Sequence, residues 1–198
     1  MLKELLTGYN VILASGSPRR QQFLKELGLD FEIRLKEVEE VYPDTLKGAQ
    51  ITDYLAELKA SVLTDTLSDK DILITSDTIV WHENRALGKP VDYADAFAMI
   101  KSLSGKTHEV ITSVCIKNGS ETDIFNETTK VTFNTLTDDE IKYYLDNYKP
   151  YDKAGSYGIQ EWIGLVAISK IEGSYANVVG MPVDKVYKHL IKFTENNK

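Results

Sequence analysis

The sequence predicts a mixed α/β fold, a twisted sheet with flanking helices. Two observations carry that expectation. Short apolar runs without helical period, Val11-Ile12-Leu13-Ala14 and Ile72-Leu73-Ile74-Thr75, alternate with segments whose apolar residues recur at helical spacing. Between residues 110 and 133 two stretches rich in β-branched residues follow one another directly, which calls for antiparallel pairing within the same sheet.

Taken in order, residues 11–14 read as a buried strand that ends in the tight turn Ser15-Gly16-Ser17-Pro18. A helix follows at once, with Ser17 as N-cap, Pro18 in the first turn, Phe23, Leu24 and Leu27 at helical spacing and Gly28 as the stop. Residues 31–35 alternate like a strand. From 52 to 67, Leu55, Leu58, Val62 and Leu63 share one face of an amphipathic helix. The strand over 72–75 stops at the polar triplet Ser76-Asp77-Thr78 and resumes at Ile79-Val80-Trp81 as one arm of a hairpin turning near Asn84. It leads to Leu87-Gly88-Lys89-Pro90.

Residues 92–103 are helical, with Ala96, Met99, Ile100 and Leu103 apolar. Strands at 110–116 and 128–133 pair, with Asn118-Gly119 as a turn signal. Thr137-Asp138-Asp139-Glu140 fits a capping box, opening a helix through Tyr148 that Pro150 closes. After a glycine-rich stretch, 165–168 reads as a strand and 183–193 as a last helix, leaving 194–198 as a frayed tail. Ligands bind such folds where strand ends meet helix N-termini.

Composition narrows the function. With 198 residues and 42% hydrophobic content the chain can bury a core and still leave a cleft for a small ligand. A net charge of -7 opposes docking along a nucleic acid, whereas a few local cations can still hold a small phosphorylated molecule. The single cysteine, Cys115, lies in an apolar run, so it forms no intrachain disulfide and reads as a buried, inert thiol in a reducing compartment. No stretch has the shape of a secretory leader or reaches the ~20 apolar residues of a membrane helix, so a cytosolic protein is expected.

Several segments carry chemistry. In Ser15-Gly16-Ser17-Pro18-Arg19-Arg20, small residues admit a polyanion to backbone N–H groups at a helix start while two guanidinium groups grip its oxygens. An ordinary serine-capped helix with solvated arginines is the alternative. Asp77, at a strand end, is either a catalytic or metal-holding acid or a turn aspartate bonded to local backbone. If it binds a divalent cation, a second carboxylate is wanted, and the run Glu37-Val38-Glu39-Glu40, otherwise a solvated edge, can supply it. Lys59 and Lys89 are candidate phosphate or leaving-group contacts, or surface lysines. His82, His108 and His189 lack metal-ligand spacing, and His108 reads as a structural hydrogen-bonding group. Gln160 closes Asp152-Lys153-Ala154-Gly155-Ser156-Tyr157-Gly158-Ile159 with a donor and an acceptor that match the edge of uracil or thymine. As a bare pattern the segment is also compatible with a flexible loop.

Six motifs, in order and spanning almost the whole chain, resemble the Maf (septum formation protein) family: 15–20, 76–78, 88–90, 103–108, 152–160, and 173–175 through 180–182. The resemblance implies a single domain over 1–198 with two lobes around a cleft, similar to the inosine-triphosphate pyrophosphatases. It implies hydrolysis between the α and β phosphates with Mg2+ or Mn2+, and a homodimer.

Asp77 matches the acid taken to accept the proton of the attacking water, and Glu40 the acid that helps it hold the metal. Lys59 and Lys89 match phosphate-contacting lysines, Lys89 counted with the catalytic groups. Arg19, Thr78 and Gln160 match positions tied to substrate choice; Ser15, Ser17 and Arg20 complete the phosphate cradle. The 152–160 segment resembles the branch that cleaves dTTP and UTP. Purine or 7-methyl-GTP hydrolysis, or nucleotide-dependent regulation of cell division, are the alternatives. Two departures stand out: Ser76 where alanine is common, and Glu161-Trp162-Ile163 where residues are often smaller, so that Trp162 could reshape the base pocket.

Overall fold

The computed structural model describes residues 2–196. In chain order its elements are α1 (Leu2–Leu5), β1 (Asn10–Leu13), α2 (Pro18–Glu26), β2 (Glu32–Ile33), α3 (Ala49–Ser61), β3 (Asp71–His82), β4 (Arg85–Leu87), α4 (Tyr93–Leu103), β5 (Thr107–Lys117), β6 (Thr122–Phe133), α5 (Asp138–Tyr148), α6 (Trp162–Val166), β7 (Ile168–Glu172), α7 (Tyr175–Val179) and α8 (Val183–Asn196). Seven strands form one mixed sheet in the order β2-β1-β3-β5-β6-β7, with β4 pairing β3. β1 runs parallel to β2 and β3, setting Val11 beside Ile72 and Leu13 beside Ile74, while β3–β4 and β6–β7 are antiparallel. The expected mixed α/β sheet is therefore present.

Two compact units divide the chain. The first holds 1–77, 112–127 and 180–198; the second holds 78–111 and 128–179. In the first, Leu13, Leu24, Ile72, Ile74, Val114, Met181 and Leu190 belong to one buried cluster, and Ile12, Ala56, Leu73 and Cys115 to another. Burial pushes the Cys115 thiol up to about 12, so it stays an inert apolar filler. In the second unit, Val80, Ile100, Phe133, Ile141, Tyr144, Tyr157 and Ile163 share a core.

Local chemistry explains several element ends. Pro18 opens α2 and Gly28, at φ +74°, follows its end. The β3–β4 hairpin turns through Glu83 and Asn84, both in the left-handed region. Asp92 caps α4 by accepting from the Asp95 N–H at 2.8 Å. Asn118 Oδ1 accepts from the Ser120 and Glu121 N–H groups, closing the β5–β6 turn. The capping box at Thr137 and Glu140 forms as expected, and Lys149 ends α5 in a left-handed conformation.

Five expectations change. β3 does not stop at Ser76-Asp77-Thr78: pairing with β1 over 71–74 and with β4 over 80–82 carries the backbone straight through the triplet. Residues 31–35 contribute only the two exposed residues of β2. The helix expected to reach 67 ends at Ser61 and is followed by a short 3-10 turn over Thr64–Thr66. The apolar run from 165 is split, its start ending α6 and Ile168 opening β7. Residues 194–196, expected as a frayed end, extend α8, where Thr194 is buried and its hydroxyl donates to the Ile191 carbonyl at 2.7 Å; 197 and 198 lie outside the described residues. Among the described residues no helix is long and apolar enough to cross a membrane.

Candidate active site

In the first unit, three segments far apart in sequence meet at one ammonium group. Lys59, on the last turn of α3, donates to Asp77 Oδ1 at 2.6 Å and lies 3.1 Å from Glu40 Oε1. Asp77 is 6% exposed, on a strand flanked by buried Ser76, whereas Glu40 sits in an exposed loop and reaches in. The register of α3 on β3 is fixed nearby, because the buried Thr75 hydroxyl donates to the Ala56 carbonyl at 2.6 Å, one turn before Lys59. The Glu40 and Asp77 carboxylates are thus brought to one place, where the Lys59 ammonium joins them.

The turn after β1 lies against the same acids. Arg20 Nη1 donates to the Ser76 carbonyl at 2.9 Å and to Ser15 Oγ at 3.4 Å, and its Nε donates to the Gly180 carbonyl at 2.9 Å. The charges of Asp77, Arg19 and Glu40 all act on this guanidinium, while burial, the largest effect, disfavours its charged form. Arg20 thus fastens the turn to β3 and to the segment before α8. Ser17 occupies the N-cap position of α2, yet its side chain makes no capping bond. Ser15 Oγ instead accepts the Ser17 N–H at 3.3 Å, which bends the chain tightly before the helix. Arg19 is partly exposed on the first turn of α2.

Two carboxylates are oxygen donors of the kind a hard divalent ion takes, although the point on which they converge is here occupied by the Lys59 ammonium. Among the described residues no group of three or more His, Cys, Asp or Glu side chains could hold a metal. A cation at Glu40 and Asp77 would therefore need oxygens other than carboxylates, such as those of water and phosphate, to complete its shell, which is how magnesium is commonly bound.

The second unit carries the remaining candidates. Thr78 is partly buried on β3, Lys89 is exposed in the turn between β4 and α4, and Gln160 is exposed. The turn bearing Lys89 is tied to the segment bearing Gln160, because the Gly155 N–H donates to the Gly88 carbonyl at 3.0 Å. Gly155 has φ +67°, and a Cβ there would lie 2.7 Å from Val80 Cγ2, so the close approach needs glycine. His108 is structural as expected: its Nε2 lies 2.7 Å from the Tyr157 hydroxyl, and its ring packs edge-on against Phe133. Burial, with a smaller contribution from His82, pushes it down to about 3. Trp162 packs on the unit's core and against Tyr143.

Sequence reading missed the Gly180 and Ser76 carbonyls, because backbone acceptors leave no residue-type signal. It also missed the polar contacts around Tyr144, described below.

Comparison with known proteins shows the family. A family model described as Maf-like protein matches residues 10–193. The dTTP/UTP pyrophosphatase of Flavobacterium psychrophilum is 61% identical over 194 residues, which cover 98% of this chain and all of that protein. That of Flavobacterium johnsoniae is 62% identical over 190 residues, 96% of this chain and 98% of that one. Among solved structures, the Staphylococcus aureus Ham1 protein superposes with a TM-score of 0.52 at 14% identity, covering 96% of this chain and all of that chain. That likeness speaks for the fold alone.

Proposed function

The chain belongs to the Maf family, and from that premise we propose that it hydrolyses dTTP and UTP to the nucleoside monophosphate and pyrophosphate. Its relatives of similar length and high identity carry that activity in their names. The single structural observation that carries the reading is the convergence of Asp77 and Glu40 on Lys59, beside the Ser15–Arg20 turn.

Arg19, Arg20 and the N–H groups at the start of α2 take the phosphate chain, with Ser15 and Ser17 completing the cradle. Asp77 accepts a proton from water, whose oxygen attacks the α phosphorus as the α–β bridging oxygen leaves with pyrophosphate. Lys59, two bonds of which already touch the acids, and Lys89 offset charge on that leaving group. Glu40 and Asp77 are the groups that would hold Mg2+ or Mn2+. Such an ion, when bound, neutralises phosphate charge and makes the phosphorus more electrophilic. Gln160 pairs with the edge of uracil or thymine, with Thr78 beside Asp77 in the chain helping to set substrate choice. The whole chain acts as one domain, as a homodimer in the cytoplasm.

The test is a triphosphate panel of dTTP, UTP, CTP, GTP and 7-methyl-GTP with Mg2+, Mn2+ or a chelator, separating pyrophosphate from orthophosphate. Pyrophosphate from dTTP and UTP, lost with the chelator, is the expected result. Orthophosphate as the product, a preference for GTP or 7-methyl-GTP, or binding of UTP without turnover would overturn it.

A further inference from the structure

The segment 153–161 has an unusual distribution of exposure. Lys153, Gly155, Ser156, Tyr157, Gly158 and Ile159 are buried, and then Gln160 alone is exposed. What holds the backbone in this state is a polar clamp centred on Tyr144, a fully buried side chain of α5. The Tyr144 hydroxyl donates to Glu161 Oε2 and accepts the Gly158 N–H at 3.0 Å. The other oxygen of Glu161, Oε1, lies 3.1 Å from Lys153 Nζ. The start, middle and end of the segment are thus tied to one phenol and one carboxylate.

Two glycines show how tightly the clamp closes. A Cβ on Gly158 would lie 2.9 Å from the Glu161 carboxyl carbon, and one on Gly164 would lie 1.8 Å from the Ile159 carbonyl oxygen. Gln160 therefore stands between two anchored neighbours, Ile159 beneath α6 and Glu161 in the clamp. Burial pushes the Tyr144 phenol up, and the bond to Glu161 adds to this, so it stays a donor.

We propose that Glu161 is a positioning residue for substrate choice: by bridging Tyr144 and Lys153 it locks the 153–161 segment so that the Gln160 amide is held ready for the pyrimidine edge. This rests on the reading that Gln160 contacts the base. An amide on an anchored backbone loses less freedom when it binds, so its two hydrogen bonds discriminate more sharply between uracil and cytosine.

The experiment measures kcat and KM for UTP and CTP in the full chain and in Glu161→Ala, Glu161→Gln, Tyr144→Phe, Gln160→Ala and the Glu161→Ala/Gln160→Ala double variant. Amide hydrogen exchange is followed over 153–161. Glu161→Ala and Tyr144→Phe are expected to lower the UTP-over-CTP ratio of kcat/KM by about tenfold, through KM, with kcat within about twofold. Exchange in the segment speeds up while α4 keeps its protection. Glu161→Gln, which keeps an acceptor for Tyr144, retains most of the ratio, and Glu161→Ala adds nothing once Gln160 is gone.

If Gln160→Ala leaves the ratio intact, the base contact falls and the positioning role falls with it. If Gln160→Ala lowers the ratio but Glu161→Ala does not, only the positioning role is refuted. Should Glu161→Ala not fold, Tyr144→Phe against Glu161→Gln decides by the same criterion.

Discussion

Replacing His108 by Gln should flatten the acid limb of the protein's stability curve. His108 is 2% exposed, its Nε2 meets the Tyr157 hydroxyl, and among the described residues its Nδ1 has no partner, so the charged ring would bring a proton without an acceptor there. Its folded value is about 3, and that of an unfolded histidine is about 6.5. The unfolded chain therefore binds a proton that the folded chain refuses between those two values, and stability falls as pH drops below the unfolded value. Integrated from pH 7.5 to 5, this one group costs the native state about 2 kcal/mol. The glutamine variant, which cannot titrate, is less stable at neutral pH but lacks that slope. Urea unfolding at a series of pH values, compared between the two proteins, isolates the difference because all other titrating groups are shared. Parallel curves would refute the reasoning.

Asp77→Asn should cut turnover by about 10²–10⁴-fold, the range for losing a general base, while circular dichroism and thermal melting show a folded protein. A near wild-type rate would remove Asp77 from the mechanism. Lys59→Met leaves Asp77 and Glu40 without the ammonium that now joins them, so the melting temperature should fall and added Mn2+ should raise it more than in the parent, as differential scanning fluorimetry would show. Gly155→Ala should cost about 2 kcal/mol or more in urea unfolding, from the left-handed backbone together with the overlap on Val80, and Val80→Ala should recover part of it.

Much of this was legible because local chemistry and tertiary structure agree. Thr137 and Glu140 cap whatever helix follows them, and Pro18 and Gly28 bracket α2 under any packing. The polar triplet at 76–78 misled because side-chain polarity marks strand ends only on average; here β1 and β4 hold the backbone on either side of it. The run at 165–168 was ambiguous for the same reason that every short apolar run is: helix and strand both bury it. α6 prevails at its start because Gly164 lets the chain close onto the Ile159 carbonyl. In the site, residue types pointed to Asp77, Lys59 and an acid from the 37–40 run. That these meet at one nitrogen depends on the α3–β3 register, which rests on Thr75 and a backbone carbonyl and leaves no trace in composition. The role of Ser15, rather than Ser17, as acceptor was equally hidden, since both are serines in one turn.

The bond from Arg20 to the Gly180 carbonyl reaches across 160 positions. During synthesis the guanidinium that shapes the first turn can meet its Ser15 and Ser76 acceptors early, but it waits for almost the whole polypeptide before the Gly180 carbonyl exists. Nascent chains arrested ahead of Gly180 should therefore hold that turn by the earlier acceptors alone, and its final fastening should come late, once the segment before α8 has emerged.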